Sequence, residues 1–233
     1  MNACFDGSVA LVTGGQRGLG RAFADELLRR GATLVYVTSR HPEPTGDTRI
    51  VPLELDVTDD AQVAALPDSA PNVNLLINSA GVSVATPLLQ ASWEDIIGNF
   101  EANAYGPLRV VRAMAPVLAG ASPSRLVNVH SVLSWIAGYG AYGASKAALW
   151  AISNQLRIEL AGQGTTVTGV HLGLADTDMT AGVPGPKLAP DFVAATVLDG
   201  VANGATEVLV DEISQTVKNQ LSGPVEALVL GSA

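Results

Sequence analysis

The sequence predicts an α/β fold in which a doubly wound, parallel sheet of about seven strands carries helices on both faces. Short apolar runs rich in β-branched residues alternate with helix-forming stretches along the whole chain. Hydrophobic residues make up 48% of the 233 residues and charged residues only 15%, as expected when strands are buried between two layers of helices. This length fits a single domain, residues 1–233.

The order of the elements follows from the apolar pattern and from its breaks. Strands are predicted near residues 8–13, 33–38, 50–55, 74–78, 125–129, 166–172 and 206–210. Helices are predicted near residues 18–30, 59–66, 92–118, 142–162, 190–203 and 211–220. A short loop, about 174–190, follows the sixth strand at the carboxyl edge of the sheet, where ligands bind in open α/β folds. Because this loop is short, we expect a rather open pocket beside it.

A glycine-rich segment joins the first strand to the first helix in the pattern G-x-x-x-G-x-G. Glycines at such a turn let the backbone approach a ligand closely, and the helix N-terminus offers free N–H groups to a pyrophosphate. A literal G-x-G-x-x-G match at 138–143 is separated from its strand by several residues and is a poor candidate. We therefore predict a dinucleotide site that includes Gly14, Gln16, Arg17, Gly18, Leu19 and Gly20.

Tyr142 and Lys146 lie at the start of a predicted helix, where residues four apart share a face. Lowering a tyrosine pKa from about 10 by about three units takes roughly 4 kcal/mol. A cation about 4–5 Å away supplies energy of that order at an effective dielectric near ~20. The pair is therefore a candidate proton donor and acceptor, although Y-x-x-x-K also arises by chance with a packed tyrosine and a solvated lysine.

Composition excludes several classes of function. The single cysteine, Cys4, cannot form an internal disulfide and suits a reducing cytoplasm. Cysteines and histidines are few and none has ligand spacing, so no metal site is expected. A formal charge of −9 argues against a nucleic-acid partner. No run reaches about 18 apolar residues, and the first residues lack a signal-peptide pattern, so neither a membrane span nor secretion is expected.

The T-G-x-x-x-G-x-G segment and the later Y-x-x-x-K pair together resemble the hallmarks of the short-chain dehydrogenase/reductase family, whose members share a Rossmann fold. Further motifs of that family follow in the same order over almost the whole chain. The resemblance assigns Asn103 and Ser131 to the active site beside Tyr142 and Lys146. It also assigns to the cofactor site Asp56 and Val57, the turn residues Asn78, Ala80 and Gly81, and Gly173 and Thr177.

The resemblance implies a role for each active-site residue. Tyr142 would exchange a proton with a substrate carbonyl or alcohol, while Lys146 would lower its pKa and bind the nicotinamide ribose, which places both in the cofactor site as well. Ser131 would hold the carbonyl oxygen, and Asn103 would bend its helix and anchor a water molecule that links Lys146 to solvent. Two departures stand out: the loop 131–142 is shorter than usual, and Leu172 replaces a proline, which would loosen the turn after the sixth strand.

Other interpretations of these side chains are open at this point. Ser134 could take the role of Ser131, whereas His130 and His171 are expected to be packed or capping residues. Ser145 lies in a pattern close to the G-x-S-x-G of serine hydrolases, yet it falls inside a predicted helix and not on an exposed turn. A regulatory protein that binds NADP without turnover is the other alternative.

The end of the second strand predicts the cofactor. NAD enzymes of this fold place an acidic residue there to bind the ribose hydroxyls, and none occurs between Gly31 and His41. Ser39 and Arg40 stand there instead, and Arg17 lies in the glycine segment. Two guanidinium groups on a 2′-phosphate, each worth roughly 1.5–3 kcal/mol, would favour NADP(H), unless both arginines are solvated surface charges.

The expected activity is the reversible, NADPH-dependent reduction of a small-molecule ketone or aldehyde to an alcohol. The substrate pocket is predicted to be apolar, unless its residues pack beneath the loop or at a subunit contact. Helices 92–118 and 142–162 carry more apolar residues than one buried face needs, and the family pairs them across a two-fold axis. We therefore expect a homodimer or homotetramer. The predicted pocket residues are Leu133, Trp135, Tyr139 and Met179.

Overall fold

The computed structural model describes residues 3–229, which form helices around one parallel sheet. The strands are β1 (Val9–Thr13), β2 (Leu34–Ser39), β3 (Ile50–Glu54), β4 (Leu75–Asn78), β5 (Ser124–Val129), β6 (Thr165–His171) and β7 (Glu207–Leu209). Across the seven-stranded sheet they lie in the order β3-β2-β1-β4-β5-β6-β7. Chain order reverses beside β1, where β2 lies on one side and β4 on the other, and ligands bind at such a switch point. The predicted doubly wound fold is confirmed.

Eight α-helices occur in the described part of the chain. They are α1 (Gly18–Arg29), α2 (Asp60–Ala64), α3 (Leu66–Ser69), α4 (Trp93–Phe100), α5 (Gly106–Gly120), α6 (Gly140–Glu159), α7 (Pro190–Ala202) and α8 (Glu212–Gln220). Short 3-10 turns at Val132–Ser134 and Asp178–Thr180 follow β5 and β6. None of the helices within residues 3–229 is long and apolar enough to cross a bilayer.

Two apolar layers hold the helices to the sheet. Successive residues of a strand point to opposite faces, so Val12 of β1 packs in one layer and Leu11 in the other. Phe23 of α1 is fully buried in the first layer, and Met114 of α5 is fully buried in the second. Burial on both faces explains why the strands are almost continuously apolar in sequence.

The helix predicted over 92–118 is interrupted in the structure. A π-helical turn, Glu101–Tyr105, joins α4 to α5, and such wider turns inside helices frequently occur at functional sites. The helix predicted over 59–66 is likewise two short helices, with Pro67 in the first turn of α3, where its missing N–H leaves no bond unmade. The predicted helix 142–162 begins two residues earlier, at Gly140.

Candidate active site

The glycine positions of the loop between β1 and α1 leave no room for a side chain. Gly14 and Gly18 have φ angles of 64° and 54°, in the left-handed region that glycine adopts without strain. A Cβ atom at Gly20 would lie 2.2 Å from the carbonyl oxygen of Gly14. Leu19 lies between these glycines in the first turn of α1. The loop therefore presents bare backbone beside the α1 N-terminus, as an approaching pyrophosphate requires.

The same loop touches two other predicted cofactor segments. A Cβ atom at Gly14 would lie 3.0 Å from the Cα of Ala80, and one at Gly18 would lie 3.2 Å from a methyl carbon of Thr177. The hydroxyl oxygen of Thr13 accepts hydrogen bonds of 3.1 Å from the backbone N–H groups of Ser79 and Ala80. The structure thus brings the loops after β1, β4 and β6 together at the carboxyl edge of the sheet.

Asn103 lies in the π-helical turn and is fully buried. Its amide accepts a 2.9 Å hydrogen bond from the Val82 N–H, donates one of 2.9 Å to the Val82 carbonyl, and donates a third of 3.0 Å to the Ser145 hydroxyl. A Cβ atom at Gly81 would lie 2.8 Å from the Asn103 side-chain oxygen and 3.8 Å from Lys146 Nζ. Asn103 therefore ties the turn after β4 to the wall that holds Lys146.

Ser131 and Tyr142 meet at the end of β5. The Ser131 hydroxyl oxygen accepts a 3.2 Å hydrogen bond from the Leu133 N–H, and it is also hydrogen bonded to the Tyr142 side chain. The hydroxyl of Ser134, the alternative candidate, is buried and has no hydrogen-bond partner among residues 3–229. The geometry therefore favours Ser131 over Ser134 as the serine that works with Tyr142.

Lys146 is 6% exposed, and its Nζ donates a 2.9 Å hydrogen bond to the Val129 carbonyl at the end of β5. Its Nζ lies 5.8 Å from the centroid of the Tyr142 ring. Loss of hydration lowers the pKa of Lys146 to about 8. The ammonium is thus held under the ring, as the spacing of four residues predicts.

The predicted lowering of the Tyr142 pKa is wrong for this structure. Loss of hydration raises the pKa of Tyr142 to about 12, and the hydrogen bond with Ser131 offsets only part of that rise. Tyr142 is only half-buried, so solvent moderates the effect. The lysine does not reverse it because its ammonium is bonded to the Val129 carbonyl and not to the phenol. Sequence spacing predicts proximity but carries no information on hydration.

The end of β2 is held to the glycine loop by Gln16. Its side-chain oxygen accepts hydrogen bonds of 2.8 Å from the Ser39 hydroxyl and 3.0 Å from the Glu43 N–H, and its Nε2 donates one of 2.6 Å to the Glu43 carbonyl. Arg40, the residue after Ser39, is exposed. Arg17 instead has its guanidinium 3.7 Å from the Asp178 carboxylate, on the loop after β6. The expectation that Arg17 points with Arg40 toward one phosphate is therefore not supported.

Asp56 and Val57 follow β3, close to this end of the sheet. Burial opposes ionisation of Asp56, but two hydrogen bonds from Thr58 and the charge of Arg40 outweigh it and lower the pKa of the carboxyl group. Val57 is 7% exposed and packs against the start of α5, where a Cβ atom at Gly106 would lie 2.7 Å from it. Asp56 is thus the more accessible of the two.

The prediction that Trp135 lines the substrate pocket is wrong. Its indole stacks on His171 with ring centroids 3.6 Å apart, and the Lys218 ammonium lies 4.8 Å over the ring. Both faces are therefore covered, and the residue belongs to a small core cluster with Val132.

The other three predicted pocket residues are accessible. Leu133 and Tyr139 are half-buried on the loop between β5 and α6, and Met179 is 47% exposed on the turn after β6. The structure therefore leaves Leu133, Tyr139 and Met179 as candidates for an apolar pocket.

The shortened loop 131–142 closes through consecutive left-handed residues. Gly138, Tyr139 and Gly140 have φ angles of 152°, 56° and 52°. A Cβ atom at Gly140 would lie 2.1 Å from the Thr86 carbonyl oxygen. The glycines of the literal G-x-G-x-x-G match therefore serve this turn and the start of α6, not a phosphate.

Asp211 is a residue that the sequence analysis missed. Its carboxylate accepts a 2.7 Å hydrogen bond from the Gly173 N–H and caps α8 by accepting a 3.0 Å bond from the Ser214 N–H. Leu172 is 4% exposed in the core, so the turn after β6 is fixed from both sides and is not loosened by the absence of proline. The D-x-x-S spacing predicts a helix cap but not the contact with Gly173.

Asn103→Leu should lower the free energy of unfolding by about 3 kcal/mol. The substitution removes the Asn103 partner of the half-buried N–H and carbonyl of Val82, and each unsatisfied group costs about 1–3 kcal/mol. Urea unfolding would measure the change, and Asn72→Leu at an exposed position is the matched control. Equal stability of the two variants would contradict the role given to Asn103.

Lys146→Met should flatten the dependence of stability on pH. Between the folded pKa of about 8 and the ordinary value of 10.5, the unfolded chain binds more protons at this lysine than the folded chain does. Stability therefore rises with pH in this window, by up to about 1.4 kcal/mol per pH unit. The free energy of unfolding of the wild type minus that of the variant should therefore increase from pH 8 to pH 10. A constant difference would mean that the lysine is hydrated.

The chain resembles known proteins over most of its length. Residues 8–186 match the family model described as short chain dehydrogenase. The chain is 32% identical over 216 residues to an uncharacterized oxidoreductase of Myxococcus xanthus, covering 85% of each protein. It is 31% identical over 218 residues to the 3-oxoacyl-(acyl-carrier-protein) reductase FabG of Salmonella typhimurium, covering 88% of this chain and 87% of the relative.

Solved structures give the same family. A short chain dehydrogenase from Burkholderia cenocepacia J2315 in complex with NADP is 36% identical, with a TM-score of 0.91 over 96% of each chain. A short chain dehydrogenase/reductase from Burkholderia phymatum in complex with NAD is 25% identical, with a TM-score of 0.83 over 92% of each chain. The family match over residues 8–186 and the shared Rossmann-like sheet show that the chain belongs to the short-chain dehydrogenase/reductase family of oxidoreductases.

Proposed function

We propose that this chain is an NADPH-dependent oxidoreductase that reduces a ketone or aldehyde to an alcohol by reversible hydride transfer. The observation that carries the proposal is the constellation at the end of β5. Tyr142 is hydrogen bonded to Ser131 above the buried ammonium of Lys146, and Asn103 lies on the adjoining wall. These groups stand beside a glycine loop that is shaped for a dinucleotide.

The glycine loop supports the cofactor that the family implies. A Cβ atom at its glycines would meet backbone or a neighbouring side chain, so this tight turn depends on glycine, as the phosphate-binding turn of a dinucleotide site does. The loop from Gly14 to Gly20 would hold the pyrophosphate, and Lys146 and Thr177 would hold the nicotinamide end. When bound, the reduced nicotinamide supplies a hydride to the carbonyl carbon of the substrate.

The residues of the chain would supply the proton and hold the oxygen. The Leu133 N–H occupies one acceptor position of Ser131 Oγ, and the hydrogen of that hydroxyl, which stabilises Tyr142 in this structure, would bond the substrate oxygen once substrate is present. Tyr142 would donate its proton to the same oxygen as negative charge develops there. The raised pKa keeps Tyr142 protonated at neutral pH, which is the form that reduction needs. The buried ammonium of Lys146 would stabilise the phenolate left behind.

The two alternative functions have less support. Ser145 is fully buried inside α6 and donates a 2.7 Å hydrogen bond to the Tyr142 carbonyl, so it is not the exposed nucleophile of a serine hydrolase. A regulatory NADP-binding protein would have no need of Asn103, Ser131, Tyr142 and Lys146 in one place. A cofactor-oxidation assay separates these classes.

The preference for NADPH rests on the end of β2. Ser39 and Arg40 stand where an acidic residue would favour NAD, and Arg40 is exposed and able to reach a phosphate. The NADP complex of the structure at 36% identity agrees with this choice, while the NAD complex at 25% identity shows that the family uses both cofactors. Because cells generally keep the NADP pool reduced, reduction is the proposed direction.

The proposed substrate is an apolar carbonyl compound. Leu133 and Tyr139 offer apolar surface on the loop that leads to Tyr142, and Met179 is exposed on the turn after β6. The Salmonella typhimurium relative is named as a reductase of 3-oxoacyl groups. A first panel should therefore hold 3-oxoacyl thioesters beside aliphatic and aromatic ketones and aldehydes. We propose a cytoplasmic location, because one cysteine permits no internal disulfide.

We also propose that the chain assembles into a homodimer or homotetramer. Trp93 and Ile97 of α4 are 77% and 54% exposed, and Ile158 of α6 is 74% exposed. Large apolar side chains exposed at this level on neighbouring helices suit a subunit contact.

Light scattering at micromolar concentration should give a multiple of the chain mass, and Trp93→Asp should shift the protein toward monomer. A monomeric wild-type protein would reject the proposal.

Tyr142→Phe should lower kcat for carbonyl reduction by about a thousandfold and leave the Kd for NADPH within about threefold, because only the proton donor is lost. Tyr105→Phe, at a residue that is 45% exposed, is the matched control and should retain wild-type kcat. Retention of more than about a tenth of wild-type kcat by the Tyr142 variant would contradict the assignment.

Arg40→Asp should lower the ratio of kcat/KM for NADPH to that for NADH by about 10- to 100-fold. The substitution removes a charge-assisted phosphate contact and adds an acceptor for ribose hydroxyls. Arg112→Asp, at an exposed position on α5, makes the same change in net charge and should leave the ratio unchanged. If both variants shift the ratio equally, only the overall charge matters and Arg40 is not the selecting residue.

A further inference from the structure

Two histidines lie buried behind Ser131, and the proposed reaction uses neither. His130 follows β5 and is 2% exposed, while His171 ends β6 and is fully buried. Their ring centroids are 4.7 Å apart. Burying two imidazoles is costly unless every ring nitrogen has a partner, so their contacts require an explanation.

The histidines form one continuous chain of hydrogen bonds with their neighbours. His171 Nδ1 lies 3.1 Å from the Ser131 carbonyl oxygen, and His171 Nε2 lies 3.0 Å from His130 Nδ1. His130 Nε2 lies 2.9 Å from the Ser153 hydroxyl. That hydroxyl oxygen accepts a 2.8 Å bond from the Asn128 amide. The chain therefore reaches from the centre of the sheet to the catalytic serine.

The donor and acceptor in each bond follow from the Ser131 carbonyl at one end of the chain. A carbonyl oxygen only accepts, so His171 Nδ1 carries the hydrogen and, in a neutral ring, Nε2 is an acceptor. His130 Nδ1 must then donate to it, which makes His130 Nε2 an acceptor. The single hydrogen of the Ser153 hydroxyl must therefore point to His130 Nε2 and not to its other acceptor, the Leu149 carbonyl 2.8 Å away. The other tautomer of either ring would place two lone pairs face to face in a dry core. One arrangement of hydrogens satisfies all four ring nitrogens.

The surroundings keep both rings neutral. Burial is the main cause that lowers the pKa of His130 well below its ordinary value, and that of His171 to about 4. Lys146 disfavours a charge on both rings, Arg157 on His130, and Lys218 on His171. Glu207 acts in the opposite sense, with its carboxylate 3.8 Å from His171 Nε2. The cationic neighbours and burial prevail, so the fixed tautomers persist at neutral pH.

His171 contacts both ends of the turn that carries the active serine. The Ser131 carbonyl accepts a second bond, of 3.0 Å, from the Ser134 N–H, so both of its acceptor positions are filled. Trp135, at the far end of the same turn, stacks on the His171 ring. The imidazole therefore holds the turn Val132–Ser134 at both ends, through the Nδ1 bond to the Ser131 carbonyl and through stacking on Trp135.

We propose that His171, with its tautomer set by His130, is a positioning residue for Ser131. The His171 Nδ1–H bond holds the peptide of Ser131 so that its hydroxyl faces Tyr142 and the substrate oxygen. Neither histidine transfers a proton in the reaction. This inference rests on the proposed reductase function for its kinetic test but not for its spectroscopic one.

Two amides of similar shape separate the two nitrogens of His171. Asn can place an N–H near the position of Nδ1, whereas Gln reaches the position of Nε2 and leaves the Ser131 carbonyl without this donor. His171→Asn should keep kcat within about fivefold of wild type, and His171→Gln should lower it by about 30-fold or more. The KM for NADPH should stay within about twofold in both variants. Equal losses of kcat would assign His171 to packing alone and overturn the proposal.

Nitrogen NMR of the imidazole rings tests the inference without turnover. The chain has only three histidines, and exposed His41 provides the reference signal. Between pH 6 and 8 both buried rings should carry hydrogen on Nδ1 alone, and the backbone amide signals of residues 131–135 should move more in His171→Gln than in His171→Asn. Hydrogen on Nε2 of His171, a protonated ring, or equal movement in the two variants would overturn it. Failure to reduce any carbonyl, with these signals as expected, would reject the proposed function and leave the positioning of Ser131 supported.

Discussion

The buried ammonium of Lys146 is the constraint on which the site depends. A cation removed from water is costly, and the Val129 carbonyl satisfies only one of its three N–H donors through a hydrogen bond in the described residues. Loss of hydration accordingly lowers the pKa of Lys146 to about 8. A ligand that brings hydroxyl groups to the remaining donors, as a nicotinamide ribose would, therefore supplies the hydrogen bonds that the Lys146 ammonium lacks.

The rest of the cleft keeps that ammonium in place. The strand β5 supplies the Val129 carbonyl and then Ser131, and α6 supplies Tyr142 and Lys146 one turn apart. Asn103 projects from the π-helical turn to the segment after β4, which in turn touches the glycine loop. A parallel sheet brings all of these ends to one edge, so each polar group needs only a short loop to reach the others. Behind them, the His130–His171 pair forms hydrogen bonds with the Ser131 carbonyl and the Ser153 hydroxyl in the buried interior.

The fold and the pairing of Tyr142 with Lys146 could be predicted because both depend on local patterns, whereas Asn103 and Ser131 were assigned through the resemblance to the family. The glycine spacing predicts a close backbone approach, and the spacing of Tyr142 and Lys146 predicts a shared helix face. What the sequence could not predict depends on contacts distant in sequence. The raised Tyr142 pKa comes from burial, the stacking of Trp135 comes from a residue on β6, and the bond from Gly173 to Asp211 crosses between two strands. The pairing of Arg17 with Asp178 likewise requires the loop after β6 to be in position.

A crystal structure of the chain with NADP⁺ would show whether the buried ammonium binds the cofactor. We expect the ribose hydroxyls of the nicotinamide to lie within hydrogen-bond reach of Lys146 Nζ, with Ser131 and Tyr142 facing the reactive side of the ring and the pyrophosphate on the glycine loop. The bond from Lys146 to the Val129 carbonyl should be kept. A ribose bound elsewhere, with Lys146 still bonded only to Val129, would show that the buried ammonium is a structural group and that the proposed site is wrong.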